Sequence, residues 1–209
     1  VWFIIWIAKK SLRKEMLWAS IFTAPFGLTE PLFVPEYWSP PSLFNLALRI
    51  GFDIESIIFC FAIGGIGSVV YELFFKVKHQ KISKHEMHSK RHRFHLAALS
   101  SPVIIFILLF FLTNLNPIYS ASIAMFIGGI SALLCRPDLK KKIWVSGFIF
   151  LILYSIFFIL FNILYPGRIL EIWNPSAISG ILFLGIPIEE FIFAFTFGML
   201  WSSIYEHIN

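Results

Sequence analysis

Charged side chains are scarce in this sequence. Asp, Glu, Lys and Arg make up 14% of the 209 residues, whereas soluble domains carry about 25%. Hydrophobic residues reach 58%, and the mean hydropathy is +0.80. A soluble globule of this length has too little interior to hide so much apolar surface. The composition therefore excludes a water-soluble enzyme, a nucleic-acid module and a disordered chain, and it predicts a helical protein that spans a membrane several times.

Other scarcities exclude particular chemistries. The two cysteines, Cys60 and Cys135, lie in apolar runs and predict no disulfide framework. Asp53 and Asp138 are the only aspartates, too few for the Asp-rich diphosphate motifs of an isoprenoid transferase. A retinal protein needs a lysine within the membrane to form its Schiff base. Every lysine here is assigned to a loop, which argues against a retinal protein. Neither a phosphate-cradling glycine loop nor a flavin fingerprint is visible, so we expect no cofactor and no metal.

Apolar segments follow one another along the whole chain. The first, residues 1–8, is too short to cross about 30 Å of hydrocarbon. We interpret it as the end of a truncated helix, with a signal-peptide remnant as the alternative. The segments long enough, or nearly so, to span a membrane are 16–34, 52–75, 96–113, 118–135, 143–165 and 178–205.

Basic residues occupy alternate loops. All of the 17 Lys and Arg residues except Arg49 and Arg168 lie in the loops at 9–14, 76–93 and 136–142. Cytoplasmic loops are enriched in Lys and Arg, so these three loops and the C-terminus are predicted to be cytoplasmic. The net charge of +5 and the pI near 9.3 are then explained without nucleic acid. We expect an integral protein of the cell membrane, with the lipid bilayer as its surroundings.

An internal repeat organises the chain. Residues 52–72 match residues 186–206, including a Glu near the start and Tyr-Glu at the end. The preceding stretches share the pattern P-x4-E-x-W-[SN]-P, at 31–40 and 166–175. We predict an all-α 3+1+3 bundle in which the two units are parallel repeats. Its parts are a first three-helix unit at 1–75, a basic loop with a linking helix at 76–117, and a second unit at 118–209.

Acidic residues inside apolar segments are the candidate catalytic groups. These are Glu189, Glu190, Glu55 and Glu30. A charged carboxylate at membrane depth costs about 2.5–3.5 kcal/mol even on insertion scales, and such residues commonly mark sites or proton relays. Because Glu55 and Glu189 are equivalent in the repeat, they form the better candidate pair. The structural alternative is a carboxylate that holds helices together through Trp, Tyr or Ser. Pro187 is expected to kink its helix.

Aromatic residues accompany these acids. The chain contains 25 Phe, most of which we expect in the core or facing lipid. Aromatic faces stabilise cations and fit a long apolar ligand. Phe59, Phe193, Trp38 and Trp173 are the predicted substrate-binding residues.

The motif Pro187-Ile188-Glu189-Glu190, followed by aromatics, resembles the hallmark of the lycopene cyclase domain family. Phe52-Asp53-Ile54-Glu55-Ser56 is a weaker form, without the proline and the second Glu. The resemblance implies a flavin-independent membrane cyclase built from three-helix units, here in tandem. Lycopene or a related linear carotenoid would be the substrate.

The resemblance also implies a mechanism. A ψ-end of lycopene gains a proton, closes to a β-ring through a carbocation and loses a proton, without net redox change. The hypothesis names Glu189 as the acid, with Glu55, Glu190 or Glu30 as base or orienting group. A protonated carboxylic acid in an apolar site suits this chemistry.

Two further interpretations remain. The His-rich segment 84–95 includes an H-x3-H pair, His88 and His92, which can bind metal. Membrane di-iron enzymes need several such motifs, so attraction to anionic lipid is the preferred reading of this segment. The non-enzymatic alternative is a carotenoid-binding or proton-conducting membrane protein.

Overall fold

The computed structural model describes residues 1–75 and 95–208. Within these ranges the chain is mostly helical, and the predicted all-α class is confirmed. The α-helices are α1 (Trp2–Ala8), α2 (Arg13–Thr23), α3 (Leu46–Ile50), α4 (Ile54–Val69), α5 (His95–Leu112), α6 (Pro117–Cys135), α7 (Lys140–Leu164), α8 (Arg168–Ile172) and α9 (Ile188–Ile208). A 3₁₀ helix, Ala24–Leu32, continues α2, and a short hairpin joins β1 (Leu182–Phe183) to β2 (Ile186–Pro187).

Two of these helices are long and apolar enough to cross a membrane. They cover Pro117–Cys135 and, with the preceding turn, Pro137–Leu164. Shorter apolar helices occupy Ile54–Val69 and Leu96–Leu112. Length and composition thus indicate a membrane protein, while the 3+1+3 arrangement and the sidedness of the loops stay predictions. The basic, His-rich segment 76–94 lies outside the described residues.

The last predicted segment starts too early. Residues 182–187 form the hairpin, and α9 begins only at Ile188. The hairpin turns at Leu184 and Gly185, both with positive φ. Pro187 therefore precedes a helix and does not kink one, so the predicted kink is wrong. The physical reason is that proline, which lacks an N–H, is tolerated where a helix starts.

Glycines let the helices approach closely. A Cβ on Gly27 would lie 2.5 Å from the backbone nitrogen of Ile57, and one on Gly64 would lie 1.9 Å from the Thr23 hydroxyl. These contacts join α2 and its 3₁₀ extension to α4. Gly67 of α4 lies against Phe197 of α9, where a Cβ would come within 2.8 Å of the ring. The helices that are equivalent in the repeat, α4 and α9, therefore pack against each other.

The two halves also meet at the tryptophans of the repeated pattern. Trp38 and Trp173 form an antiparallel β-bridge, and their rings lie 5.6 Å apart. The backbone N–H of Ser39 donates to the carbonyl of Ile172, at 2.7 Å. Contact between equivalent residues is what a twofold relation between the repeats would produce.

Candidate active site

Glu190 lies at the centre of a buried hydrogen-bond network. Its side chain is 4% exposed. Oε1 accepts hydrogen bonds from the Tyr37 hydroxyl and, at 2.7 Å, from Nε1 of Trp173. Oε2 accepts from the Tyr154 hydroxyl at 2.9 Å. The indole N–H can only donate, and a carboxyl group that accepts several hydrogen bonds is stabilised in its ionised form.

Glu189 is the neighbour of Glu190 in the chain, and only one of its carboxyl oxygens accepts hydrogen bonds from described residues. It is 1% exposed. Oε1 accepts from the Tyr119 hydroxyl at 2.5 Å and from the backbone N–H of Ser179 at 2.9 Å. Oε2 is buried and has no hydrogen-bond partner among the described residues. An ionised Glu189 would therefore keep a free lone pair in a dry environment, whereas a proton on Oε2 would have no acceptor.

The start of α9 explains why two buried acids are tolerated. Glu189 and Glu190 occupy its first turn. The N-terminus of a helix carries free N–H groups and a partial positive charge, both of which favour carboxylates. Because the hairpin delays the helix start to Ile188, the acids lie at this favourable end and not in mid-helix.

The predicted substrate-binding aromatics surround these acids in part. Trp173 is a hydrogen-bond donor to Glu190, and Trp38 lies beside it. Phe193 lies 6.1 Å from Tyr154, measured between ring centroids. Phe59 and Phe193 are partly buried against the same core cluster. Trp173, Trp38 and Phe193 thus lie near the Glu190 network, while contact of any of the four aromatics with a substrate stays a prediction.

Glu55 has a different environment from its repeat equivalent. It is partly exposed, and Oε1 accepts from the backbone N–H of Leu43 at 2.6 Å. The hydrogen bonds of Glu55 and Glu189 thus lead to different groups, and the structure does not join them as a hydrogen-bonded pair. Both acids lie in the first turn of their helices and accept a backbone N–H from the preceding loop. The difference is the Tyr119 hydroxyl, which donates to Glu189.

Glu30 instead faces Asp53. Glu30 is 4% exposed and Asp53 is 1% exposed. Neither oxygen of Glu30 makes a well-formed hydrogen bond to a described residue, and the polar side chains that face it are Ser56 and Asp53. Asp53 is the N-cap of α4, where Oδ1 accepts from the backbone N–H of Ser56 at 2.7 Å.

Cys60 is a neighbour of residues in both groups of acids. Its thiol is close enough to interact electrostatically with Glu30, and also with the hydroxyl of Tyr154. Since Tyr154 donates to Glu190, the Glu30–Asp53 pair and the Glu190 network are parts of one region.

A separate charged cluster lies at the other end of α4 and α9. Lys142 Nζ is 2.5 Å from Oε1 of Glu72 and 3.2 Å from Oε1 of Glu206, and both carboxylates are buried. Glu72 and Glu206 are the equivalent ends of the repeat. Lys142, assigned to a loop by its sequence, lies in the first turn of α7 and is 4% exposed.

Sequence reasoning missed several of these residues. Tyr37, Tyr119 and Tyr154 lie outside the repeated helices and gave no pattern. Asp53 belongs to the weaker motif around Glu55 but is not among the predicted catalytic residues. A buried charge needs partners from other elements, and that requirement was the one signal available. Among residues 1–75 and 95–208, no three His, Cys, Asp or Glu side chains are grouped to hold a metal ion.

Comparison with known families gives a match in the second half of the chain. Residues 116–208 match the lycopene cyclase family, and this range covers α6 to α9 with Glu189, Glu190, Tyr119 and Tyr154. A comparison with curated proteins gives no significant match, and neither does a comparison with solved structures. The resemblance predicted from the Pro-x-Glu-Glu motif is confirmed by this match, which extends over residues 116–208 and is thus a similarity of the second half of the chain.

Proposed function

We propose that this protein cyclises ψ-end groups of lycopene, or of a related linear carotenoid, to β-rings. The family match supports carotenoid cyclisation. The observation that carries the finer proposal is the buried acid pair at the start of α9. Glu189 and Glu190 lie there at 1% and 4% exposure, beside aromatic rings.

The geometry favours different roles for the two acids. Glu190 accepts three hydrogen bonds, which hold its side chain in place and favour its ionised form. A fixed negative charge in a dry site stabilises a nearby carbocation. Glu189 keeps Oε2 free, so it suits a base that removes a proton from the ring. The proposal therefore makes Glu189 the base, where the sequence-based hypothesis made it the acid.

Aromatic residues complete the proposed site. Phe193 and Phe59 would line the path of the polyene, and Trp38 and Trp173 would face the cation. Aromatic faces attract cations. Exclusion of water protects the carbocation from capture, which favours ring closure.

The experiment is expression of the chain in lycopene-accumulating cells, with separation of the carotenoids by chromatography. We expect cyclised carotenoid from the natural sequence and a loss of at least about 100-fold in its rate of formation for Glu190→Gln and Glu189→Gln. Glu171→Gln is the matched control, because Glu171 is exposed and pairs with Arg168. Unchanged product from both site variants contradicts the proposed roles.

The second candidate is a carotenoid-binding protein without cyclase activity. The observation that favours it is the aromatic cluster around Tyr37, Phe158 and Trp173, which offers apolar contact to a polyene whether or not the acids react. This candidate predicts that lycopene is retained unchanged by the purified protein, and that the acid variants bind it equally well.

A further inference from the structure

The β1–β2 hairpin presents an apolar tip, residues 181–184, at the surface of the fold. Ile181, Phe183 and Leu184 are between 57% and 61% exposed. The sequence has no charged residue between Glu171 and Glu189. Large apolar side chains that lie together on a surface mark a contact with lipid or with another protein. The hairpin tip therefore needs an apolar partner outside the fold.

The backbone of this segment finds hydrogen-bond partners within the protein. Strands β1 and β2 pair with each other. The backbone N–H of Ile188 donates to the carbonyl of Ile181 at 3.0 Å. Nδ2 of Asn162, in α7, donates to the carbonyl of Leu184 at 3.4 Å. Non-helical backbone leaves water at low cost only when its N–H and C=O groups have such partners. These bonds thus make the hairpin tip suitable for apolar surroundings.

Helix α7 extends the apolar surface away from the hairpin tip. Ile156, Leu160 and Ile163 are exposed, and their spacing places them on one face of α7. This helix is one of the two that are long and apolar enough to cross a membrane. Asn162, which holds the carbonyl of Leu184, precedes Ile163 directly. The hairpin tip is therefore continuous with the face that α7 would turn to lipid.

The position of the hairpin along α7 indicates its depth. Asn162 lies two residues before the last residue of α7, Leu164, which is about 3 Å along the helix axis. An exposed ion pair between Arg168 and Glu171 follows in the next turn of chain. Exposed charges of this kind stay in water, so the hairpin lies close to the water boundary. Apolar side chains such as Phe and Leu insert at this boundary of a bilayer, between headgroups and acyl chains.

The base of the same segment reaches the acid pair. The backbone N–H of Ser179 donates to Oε1 of Glu189 at 2.9 Å. The ring of Phe183 lies 5.6 Å from the ring of Phe191, which follows Glu190 in the chain. One short segment therefore joins an exposed apolar tip to the start of α9, where both acids lie.

We propose that residues 178–187 insert the hairpin tip among the acyl chains at the edge of the bilayer, and that a polyene dissolved there reaches Glu189 and Glu190 along this segment. The occupant of the exposed apolar surface is bilayer hydrocarbon. The route of the polyene rests on the proposed function, whereas the insertion of the tip does not. A linear carotenoid without polar groups is dissolved among the acyl chains, so an apolar segment that leads from them to the acids is what its entry needs.

Spin labels test the insertion without any use of enzyme activity. A nitroxide is attached to Phe183→Cys in the full chain, which is reconstituted in phosphatidylcholine vesicles. The matched positions are Ile156→Cys, on the exposed face of α7, and Ser176→Cys, in the exposed turn before the hairpin. Collision rates are measured with oxygen, which concentrates in acyl chains, and with a water-soluble nickel complex. The natural sequence, treated in the same way, gives the signal from Cys60 and Cys135, which is subtracted.

Each result of this measurement decides the insertion. We expect the label at Phe183→Cys to resemble the one at Ile156→Cys, with frequent oxygen collisions and few nickel collisions, and the label at Ser176→Cys to show the opposite. Nickel collisions as frequent at Phe183→Cys as at Ser176→Cys overturn the insertion. A label that neither reagent reaches overturns it as well, because a second copy of the chain then covers the tip. Ile181→Cys replaces Phe183→Cys should the latter not fold.

The rate of cyclisation at low lycopene concentration tests the route. Phe183→Ser removes a ring from the tip, so KM for lycopene should rise about 10-fold, equivalent to about 1.4 kcal/mol of lost apolar contact, with a much smaller change in kcat. Phe111→Ser, at an exposed position in α5, is the matched control and should leave both constants unchanged. Equal constants for the two variants overturn the route. If the natural sequence forms no cyclised product, the proposed function fails and the route with it, while the collision rates still decide the insertion.

Discussion

Removal of the Trp173 indole N–H, which donates to Glu190, tests whether this buried acid is ionised. Nε1 of Trp173 donates to Oε1 at 2.7 Å, and the residue is 8% exposed. Trp173→Phe deletes the donor and keeps a ring that can still pack against Phe158, whose centroid lies 5.5 Å away. A hydrogen bond to a charged group contributes about 1.5–3 kcal/mol, and one between neutral groups about 0.5–1.5 kcal/mol.

A double-mutant cycle converts this difference into a measurement. In the natural sequence, Trp173→Phe should lower the free energy of unfolding by about 1.5–3 kcal/mol. In a Glu190→Gln background the same change should cost only about 1 kcal/mol. The difference between the two losses is the coupling free energy between Trp173 and Glu190, about 1 kcal/mol. It is measured by equilibrium unfolding in mixed micelles. Trp144→Phe, whose ring packs against Phe195 6.1 Å away, is the matched control.

The same variant carries a functional consequence. If the hydrogen bond holds the carboxylate where positive charge develops, a loss of about 1.4 kcal/mol lowers the rate of product formation about 10-fold. If Trp173→Phe lowers the free energy of unfolding equally in the natural sequence and in Glu190→Gln, the coupling free energy is near zero and Glu190 is neutral. That result would refute its assignment as the stabilising carboxylate.

Three further predictions concern the framework around the site. Lys142→Met removes the ammonium group that pairs with the buried carboxylates of Glu72 and Glu206, so it should lower the free energy of unfolding by about 3–5 kcal/mol. A second change, Glu72→Gln, should restore part of the lost free energy. Additive effects in the double variant would contradict the ion-pair account. Gly27→Ala should lower the free energy of unfolding by about 1–3 kcal/mol, because its Cβ would lie 2.5 Å from the α4 backbone. An unchanged unfolding midpoint would show that α4 and the 3₁₀ helix do not pack this closely. Cysteine introduced at Lys140 should react with a membrane-impermeant reagent only after the membrane is opened, whereas cysteine at Ser176 should react in intact cells; the reverse pattern would contradict the predicted sidedness.

Most helical segments could be predicted because their signal is local. Apolar runs fix where α5, α6 and α7 lie to within a few residues. The start of α9 could not be predicted in the same way, since residues 178–187 are as apolar as the helix that follows. The turn at Leu184 and Gly185, and not hydrophobicity, decides where that helix begins.

The candidate site was predictable only from its acids. A Glu in an apolar run is visible in a sequence, so Glu30, Glu189 and Glu190 were all found, and each is buried. Their roles depend on donors from distant elements, such as Tyr37, which lies 153 residues from Glu190 along the chain. The repeat relation that pairs Glu55 with Glu189 does not fix their partners either, since Oε1 of Glu55 accepts from the backbone N–H of Leu43 and that of Glu189 accepts from Tyr119 and Ser179.

Cyclisation in heavy water tests the central claim most directly. Membranes that contain the protein are supplied with lycopene in D₂O, and the products are analysed by mass spectrometry. If an exchangeable carboxylic acid starts the reaction, each new ring gains one deuterium, and no redox cofactor is needed. Cyclised product that carries no deuterium, or lycopene recovered unchanged, would contradict the account.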